Sequence, residues 1–209
     1  NPICLGNNKL VYNLSLKKRL AGRILLQVKS RGEACYVSPK DNKRYYLPNG
    51  DGLIETLRKL STGVGNSDLA KISIASESVA VNSNACAPAA KVLGFQATRP
   101  NYSALVNRLK GYLVIQTQSN GEVWYIDPIS GLRYYLPDGD TAYRVLRALA
   151  FGVTSENLSK IPVAVVSELQ EADIDKDGLS NKLEEGIGTN PDKIDTDSDG
   201  VSDYDEVVK

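Results

Sequence analysis

Two stretches near the C-terminal end of the sequence place an aspartate at every second position. Residues 173–184 read DIDKDGLSNKLE, and residues 195–206 read DTDSDGVSDYDE. Both fit the pattern D-x-[DN]-x-[DN]-G-x5-E, which brings carboxylates together around a hard cation. Calcium takes roughly six to eight oxygen ligands, and the glycine permits the sharp turn that closes the loop. The two stretches therefore predict a pair of calcium-binding loops of the EF-hand type.

The spacing also predicts which residues supply the oxygens. The first loop would use Asp173, Asp175, Asp177, the backbone carbonyl of Leu179, Asn181 and Glu184. The second loop would use Asp195, Asp197, Asp199, the backbone carbonyl of Val201, Asp203 and Glu206. We expect two Ca²⁺ ions, since magnesium keeps several of its waters and these loops offer many protein oxygens. The alternative is a disordered acidic tail.

The two loops begin only 22 residues apart. A single turn of helix, residues 181–185, fits before Gly186 and Gly188, so the spacing excludes the long paired helices of a regulatory EF-hand. The segment LSNKLEEGIGTNPDKIDTDSDGVSDYDE resembles bacterial thrombospondin type 3-like repeats and, more loosely, dockerin loops. That resemblance implies structural calcium in a secreted or surface-exposed bacterial protein.

Charge divides the sequence into two parts. Residues 171–209 hold 13 acidic and 4 basic side chains, a net charge of −9. The chain has 25 of each sign, which leaves 12 acidic and 21 basic in residues 1–170, a net charge of +9. A cationic body with an anionic tail favours association between molecules.

Several common chemistries are excluded by composition. The sequence has no histidine, which excludes Ser–His, Cys–His and zinc–His sites, and no phosphate-binding or G-x-S-x-G motif is present. We therefore expect a protein that is not an enzyme. The three cysteines lack CxxC spacing, and because Cys35 lies in a buried strand pattern, Cys4–Cys86 is the disulfide to test against three free thiols.

The body contains an internal repeat. A shift of 89 residues aligns residues 19–72 with residues 108–161, and 24 of the 54 aligned positions are identical. In each copy, β-rich runs at 24–29, 33–37 and 44–47, or at 113–118, 122–126 and 133–136, predict a three-stranded meander. Helices are predicted at 53–60 and 142–149, capped by Asp51 and Asp140 and stopped by Gly63 and Gly152.

These patterns predict an α+β fold with two tandem βββα repeats and a small calcium-loop module. The expected boundaries are 1–78 for the first repeat with an N-terminal extension, 79–100 for a linker, 101–168 for the second repeat and 169–209 for the calcium loops. The repeat core, with Gly121–Ile126, Pro128 and Arg133–Leu136, resembles a YYL-containing repeat of bacterial surface proteins that has no settled activity.

The functional expectation is an extracellular, calcium-stabilised structural or interaction protein that self-associates into a filament or surface layer. The partner would be a second copy or another surface protein. The alternative is a module that binds a cell-wall polymer or glycan, which exposed tyrosine and arginine on one sheet face would favour. Nucleic acid is not expected because no basic run or known motif appears. Membrane insertion is not expected because no run reaches the roughly 18 apolar residues that cross a bilayer.

Overall fold

The chain forms an α+β fold with two four-stranded sheets and several helices. The computed structural model describes residues 16–28, 33–48, 50–75, 103–165 and 172–208. The proposed linker at 79–100 and the Cys4–Cys86 pair lie outside the described residues. No helix within those described ranges is long and apolar enough to cross a membrane.

The elements of the two halves follow in the same order. The first half contains α1 (Leu16–Leu20), β1 (Ile24–Gln27), β2 (Ala34–Val37), β3 (Arg44–Leu47), α2 (Asp51–Leu60), β4 (Thr62–Val64) and α3 (Asn66–Leu69). The second half contains α4 (Ala104–Leu109), β5 (Leu113–Gln116), β6 (Val123–Ile126), β7 (Arg133–Leu136), α5 (Gly139–Leu149), β8 (Phe151–Val153) and α6 (Ser155–Ser159). Two short helices follow, α7 (Asn181–Ile187) and α8 (Asp203–Val207).

The halves exchange a strand. Strands β1, β2 and β3 form an antiparallel meander, and β8 from the second half pairs in parallel with β1. Strands β5, β6 and β7 form the matching meander, and β4 from the first half pairs in parallel with β5. Each sheet thus takes its fourth strand from the other half, which interlocks the two halves.

Two sequence expectations about the helices are wrong in detail. Asp51 and Asp140 lie inside the first turns of α2 and α5 and are not the N-caps. Asp138 caps α5, because its side chain accepts a hydrogen bond from the Thr141 amide at 2.7 Å. Gly63 and Gly152 lie within the exchanged strands, two or more residues after the helices have ended.

The main core lies between the two sheets and is built from equivalent positions of both halves. Helices α2 and α5 contact each other there. The buried members from the first half are Ile24, Ala34, Tyr36, Leu47, Leu53 and Leu57, and those from the second half are Leu113, Val123, Tyr125, Leu136, Ala142 and Leu146. Every one of these pairs is separated by the 89-residue shift of the internal repeat.

A reciprocal contact marks the junction of the halves. The Tyr36 hydroxyl donates to the Gly111 carbonyl at 2.8 Å, and the Tyr125 hydroxyl donates to the Gly22 carbonyl at 2.7 Å. A Cβ atom on Gly22 would lie 2.6 Å from the Gly111 Cα, so only glycine allows the two backbones to approach this closely. Such reciprocity is what a local twofold axis between the halves produces.

Residues 172–208, hereafter the C-terminal module, pack against the first sheet. The Val163 amide donates to the Val207 carbonyl at 3.1 Å, beside the parallel bridge between Val163 and Arg44. Tyr46 and Val163 share an apolar cluster with Leu179 and Leu183 of the module. The module is therefore anchored to the body through side chains of β3 and of the segment that pairs with it.

Candidate metal centre

The first acidic loop is held in shape by its own backbone amides. Asp173 accepts hydrogen bonds from the Lys176 amide at 2.8 Å and from the Gly178 amide at 3.2 Å. Asp175 accepts from the Asp177 amide at 3.1 Å, and Asp177 accepts from the Leu179 amide at 2.7 Å. These turns direct the three carboxylates inward, and one oxygen from each lies within 4.8 Å of the others.

The second loop repeats this network 22 residues later. Asp195 accepts from the Ser198 amide at 2.7 Å and from the Gly200 amide at 2.8 Å. Asp199 accepts from the Val201 amide at 2.9 Å, and Asp195, Asp197 and Asp199 form a second group of converging carboxylates. The same spacing thus produces the same local structure twice.

Both loops make the sharp turn that the glycine was expected to permit. Gly178 has a φ of 103° and Gly200 a φ of 97°, in the region that side-chain-bearing residues rarely adopt. Lys176 and Ser198, two residues before each glycine, also have positive φ values, of 66° and 63°. This backbone course is specific to the loop and recurs at equivalent positions.

Glu184 is the most distinctive group of the site. It lies in α7, which begins after the N-cap Ser180, and its side chain is 0% exposed. Among the described residues, neither of its carboxylate oxygens has a hydrogen-bond partner. Burial and, after it, the nearby charges of Asp175 and Asp177 together raise its pKa to about 7. A buried, unpartnered carboxylate among other carboxylates requires a proton or a cation.

The second loop is more open than the first. In the first loop the side chain of Leu179 is fully buried, whereas its counterpart Val201 in the second loop is 41% exposed. Glu206, the counterpart of Glu184, is exposed. Its pKa is raised by partial desolvation and by the charges of Asp197 and Asp199.

The two residues at the ninth loop position use their side chains to close the loop backbone. The Asn181 side-chain oxygen accepts from the Ile174 amide at 3.0 Å, and Asp203 accepts from the Thr196 amide at 3.0 Å. Asp203 is buried and also approaches the first loop. One of its oxygens lies within 4.8 Å of oxygens of Asp177 and Glu184. Sequence spacing gives no sign of this contact, because it depends on how the loops pack together.

The donor set fits a hard divalent cation. The side-chain donors of both loops are oxygens, and carboxylates dominate, as calcium prefers. The two carboxylate oxygens of Glu184, which have no hydrogen-bond partner among the described residues, lie where a cation would offset buried negative charge. The body offers no comparable reactivity at its one described cysteine: burial raises the pKa of the Cys35 thiol to about 11, so this thiol stays protonated at neutral pH.

The comparisons with known proteins do not assign this arrangement to a family. No family model matches the sequence, and no curated protein or solved structure is detectably similar to it.

Proposed function

We propose that the C-terminal module binds two calcium ions and is a calcium-stabilised structural element of an extracellular, bacterial surface protein that is not an enzyme. The observation that carries the proposal is Glu184, a fully buried carboxylate without a partner among the described residues. Asp173, Asp175, Asp177 and Glu184 would hold the first ion, with the Leu179 carbonyl and Asn181. Asp195, Asp197, Asp199 and Glu206 would hold the second ion, with the Val201 carbonyl.

Charge makes the module dependent on a cation. Residues 171–209 carry a net charge of −9, and two calcium ions would reduce this to −5 (−9 + 4). The apolar support of the module is small, since its buried cluster centres on Val163, Leu179 and Leu183. For such a small core, binding energy of the metal contributes directly to folding.

The body gives the folded module a fixed position. Tyr46 packs so closely on Gly186 that a Cβ atom there would lie 2.5 Å from the tyrosine ring. At the other end of the module, the Val207 carbonyl accepts the amide of Val163. The folded module thereby covers Tyr46 and Val163 at the edge of the first sheet. Extracellular calcium is millimolar, which suits loops of this type in secreted modules.

Titration calorimetry with calcium chloride tests this proposal. The wild-type chain should bind two ions, and Glu184→Gln should lose or strongly weaken one of them. Glu185→Gln is the matched control, because Glu185 is the neighbouring residue of the same helix and is exposed. Absence of calcium binding by the wild-type chain, or equal losses in the two variants, would contradict the proposal.

We further propose that copies associate head to tail through an open face on the second sheet. This open face comprises Ile74, Trp124, Arg133 and Tyr135. Ile74 is 58% exposed and Tyr135 is 45% exposed, whereas their counterparts Val163 and Tyr46 pack against the module. The second sheet therefore repeats the surface on which the module docks at the first sheet, and leaves that surface uncovered among the described residues.

The occupant that the charges favour is the C-terminal module of a second copy. The module exposes apolar side chains among its acidic groups, namely Ile174, Ile194, Val201 and Tyr204. The body of the neighbouring molecule has a net charge of +9. Apolar contact combined with opposite charge gives a heterologous interface, and such interfaces propagate into open fibres.

Sedimentation velocity with calcium at low salt tests the association. The wild-type chain should form oligomers that dissociate when salt screens the charges, and Tyr135→Lys should remain monomeric. Monomers only, under all of these conditions, would contradict head-to-tail assembly. If purified cell wall binds the wild-type chain but not Tyr135→Lys, the open face serves the alternative function of holding a wall polymer.

A further inference from the structure

A third group of carboxylates lies between the two acidic loops. It joins Asp177 and Glu184 of the first loop with Asp203 of the second, and one oxygen from each lies within 4.8 Å of the others. Two of the three are almost completely buried: Glu184 is 0% exposed and Asp203 is 1% exposed. Neither oxygen of Glu184 has a hydrogen-bond partner among the described residues, and three carboxylates this close together favour a cation between them.

Asp203 is oriented by the backbone and hydroxyl of one residue. The Thr196 amide donates to its Oδ1 atom at 3.0 Å, and the Thr196 hydroxyl donates to its Oδ2 atom at 2.7 Å. Each carboxylate oxygen retains a second lone pair for another contact. Asp203 is thus a fixed carboxylate at the boundary of the loops.

The first loop has a specific need for this carboxylate. Its own ninth residue is Asn181, a neutral amide whose oxygen already accepts from the Ile174 amide. The corresponding residue of the second loop is Asp203, yet the converging group of that loop contains Asp195, Asp197 and Asp199 without it. The placement of Asp203 next to Glu184 therefore supplies charge to the first loop.

The start of α8 carries further contacts to the first loop. The Tyr204 amide donates to the Asp177 Oδ2 atom at 3.2 Å. The Tyr204 ring covers Gly178, since a Cβ atom built on that glycine would lie 3.1 Å from the ring. An ordered first loop therefore positions α8, which also carries Glu206 of the second loop.

We propose that Asp203 is a ligand of the calcium ion in the first loop and couples the two sites, so that the ions bind with positive cooperativity. This inference rests on the proposed calcium binding. Order in the first loop fixes Asp203 and Tyr204, and these residues prepare the second loop at no further entropic cost to α8. Reciprocity requires that occupation of the second loop strengthens the first site by the same factor.

The test separates the sites by disabling the second loop. In a Glu206→Gln background, calorimetry reports mainly the first site. Adding Asp203→Asn to this background should weaken the remaining site about tenfold or more, as loss of a charged ligand or of its close support does. Adding Asp205→Asn, which removes an exposed carboxylate from the same helix, should change it less than about twofold.

The outcomes distinguish the inference from the proposed function. If the wild-type chain binds no calcium, the proposed function fails. If the wild-type chain binds two ions but Asp203→Asn and Asp205→Asn have equal effects in the Glu206→Gln background, calcium binding stands and the role of Asp203 is overturned.

Misfolding of the Asp203→Asn variant is detected by proteolysis at saturating calcium. If the module of Asp203→Asn is still cleaved at saturating calcium, the calcium affinity of Asp203→Glu in the same Glu206→Gln background tests the role of the carboxylate instead. If Asp203→Glu binds calcium with an affinity closer to that of the Glu206→Gln chain than Asp203→Asn does, a carboxylate ligand at this position is supported. Equal losses of affinity in the two variants would overturn the proposed role of Asp203.

Discussion

The two sheets of the body have matching strands, but the C-terminal module covers an edge of the first sheet and leaves the equivalent edge of the second sheet exposed. At the β3 edge of the first sheet, Tyr46 packs on Gly186 of the C-terminal module, and Val163, from the second half, is 1% exposed. At the β7 edge of the second sheet, the counterparts Tyr135 and Ile74, the latter from the first half, are exposed. One fold therefore presents one covered face and one open face.

The two faces also differ in the residue that lies next to the paired tyrosines in the adjacent strand. Cys35 of β2 is buried next to Tyr46, and its counterpart in β6 is Trp124. The Trp124 ring lies 4.8 Å from the Tyr135 ring, and the Arg133 guanidinium lies 4.6 Å from the centroid of Trp124. On the second sheet Tyr135 therefore packs on Trp124 and remains exposed, whereas on the first sheet Tyr46 packs against the module.

The largest effect is expected where the halves are the same. Gly22→Ala and Gly111→Ala should each destabilise the whole body by about 3 kcal/mol, because both residues have positive φ and each would clash with the backbone of the other. Chemical denaturation measures the free energy of unfolding. A large loss for one variant and none for the other would show that the halves are not equivalent at this junction.

A smaller effect should separate the two faces. Tyr46→Ala should cost about 2 kcal/mol and weaken calcium binding, because it removes the ring on which the module packs. Tyr135→Ala is the matched control in the second half and should cost less than about 1 kcal/mol. Thermal unfolding with saturating calcium measures both. Equal losses would mean that module docking adds nothing to the first face.

The smallest effect concerns pH and distinguishes the two loops. The pKa of Glu184 is about 7 in the folded chain, above its ordinary value of 4.5, so the folded state binds the extra proton between these values. The metal-free module should therefore lose stability as pH rises from about 4.5 to 7. Calcium competes with this proton, and affinity at the first site should fall about tenfold between pH 8 and pH 6.

Calorimetry of Glu206→Gln at both pH values reports that change, since the first site alone remains. The Glu184→Gln variant, which retains the second site, should show a weaker pH dependence. A stronger pH dependence in Glu184→Gln than in Glu206→Gln would show that the titrating carboxyl belongs to the second loop, which would contradict the prediction.

Local sequence signals were sufficient for the central strands and for the loops. The Arg-Tyr-Tyr-Leu runs were expected at 44–47 and 133–136, and β3 and β7 have those bounds. The converging aspartates follow from spacing alone, because each accepts hydrogen bonds from amides of the same loop. Interactions within a few residues are the ones that periodicity and spacing can report.

The exchange of β4 and β8 could not be predicted in this way. Each strand has three residues with a central glycine, which gives no alternating pattern, and its partner strand lies about 50 or more than 120 residues away. The approach of Asp203 to Glu184 was missed for the same reason, since it depends on how the two acidic loops pack against each other.

Amide hydrogen exchange in calcium and in chelator tests the central claim most directly, because it compares the covered and open faces in one molecule. With calcium, the Val163 amide should be protected by its hydrogen bond to Val207, and the equivalent Ile74 amide should exchange faster. Chelation should remove the protection of Val163 and leave Ile74 unchanged. If Val163 stays equally protected in chelator, the module does not depend on calcium for its place on the first sheet, and the account is wrong.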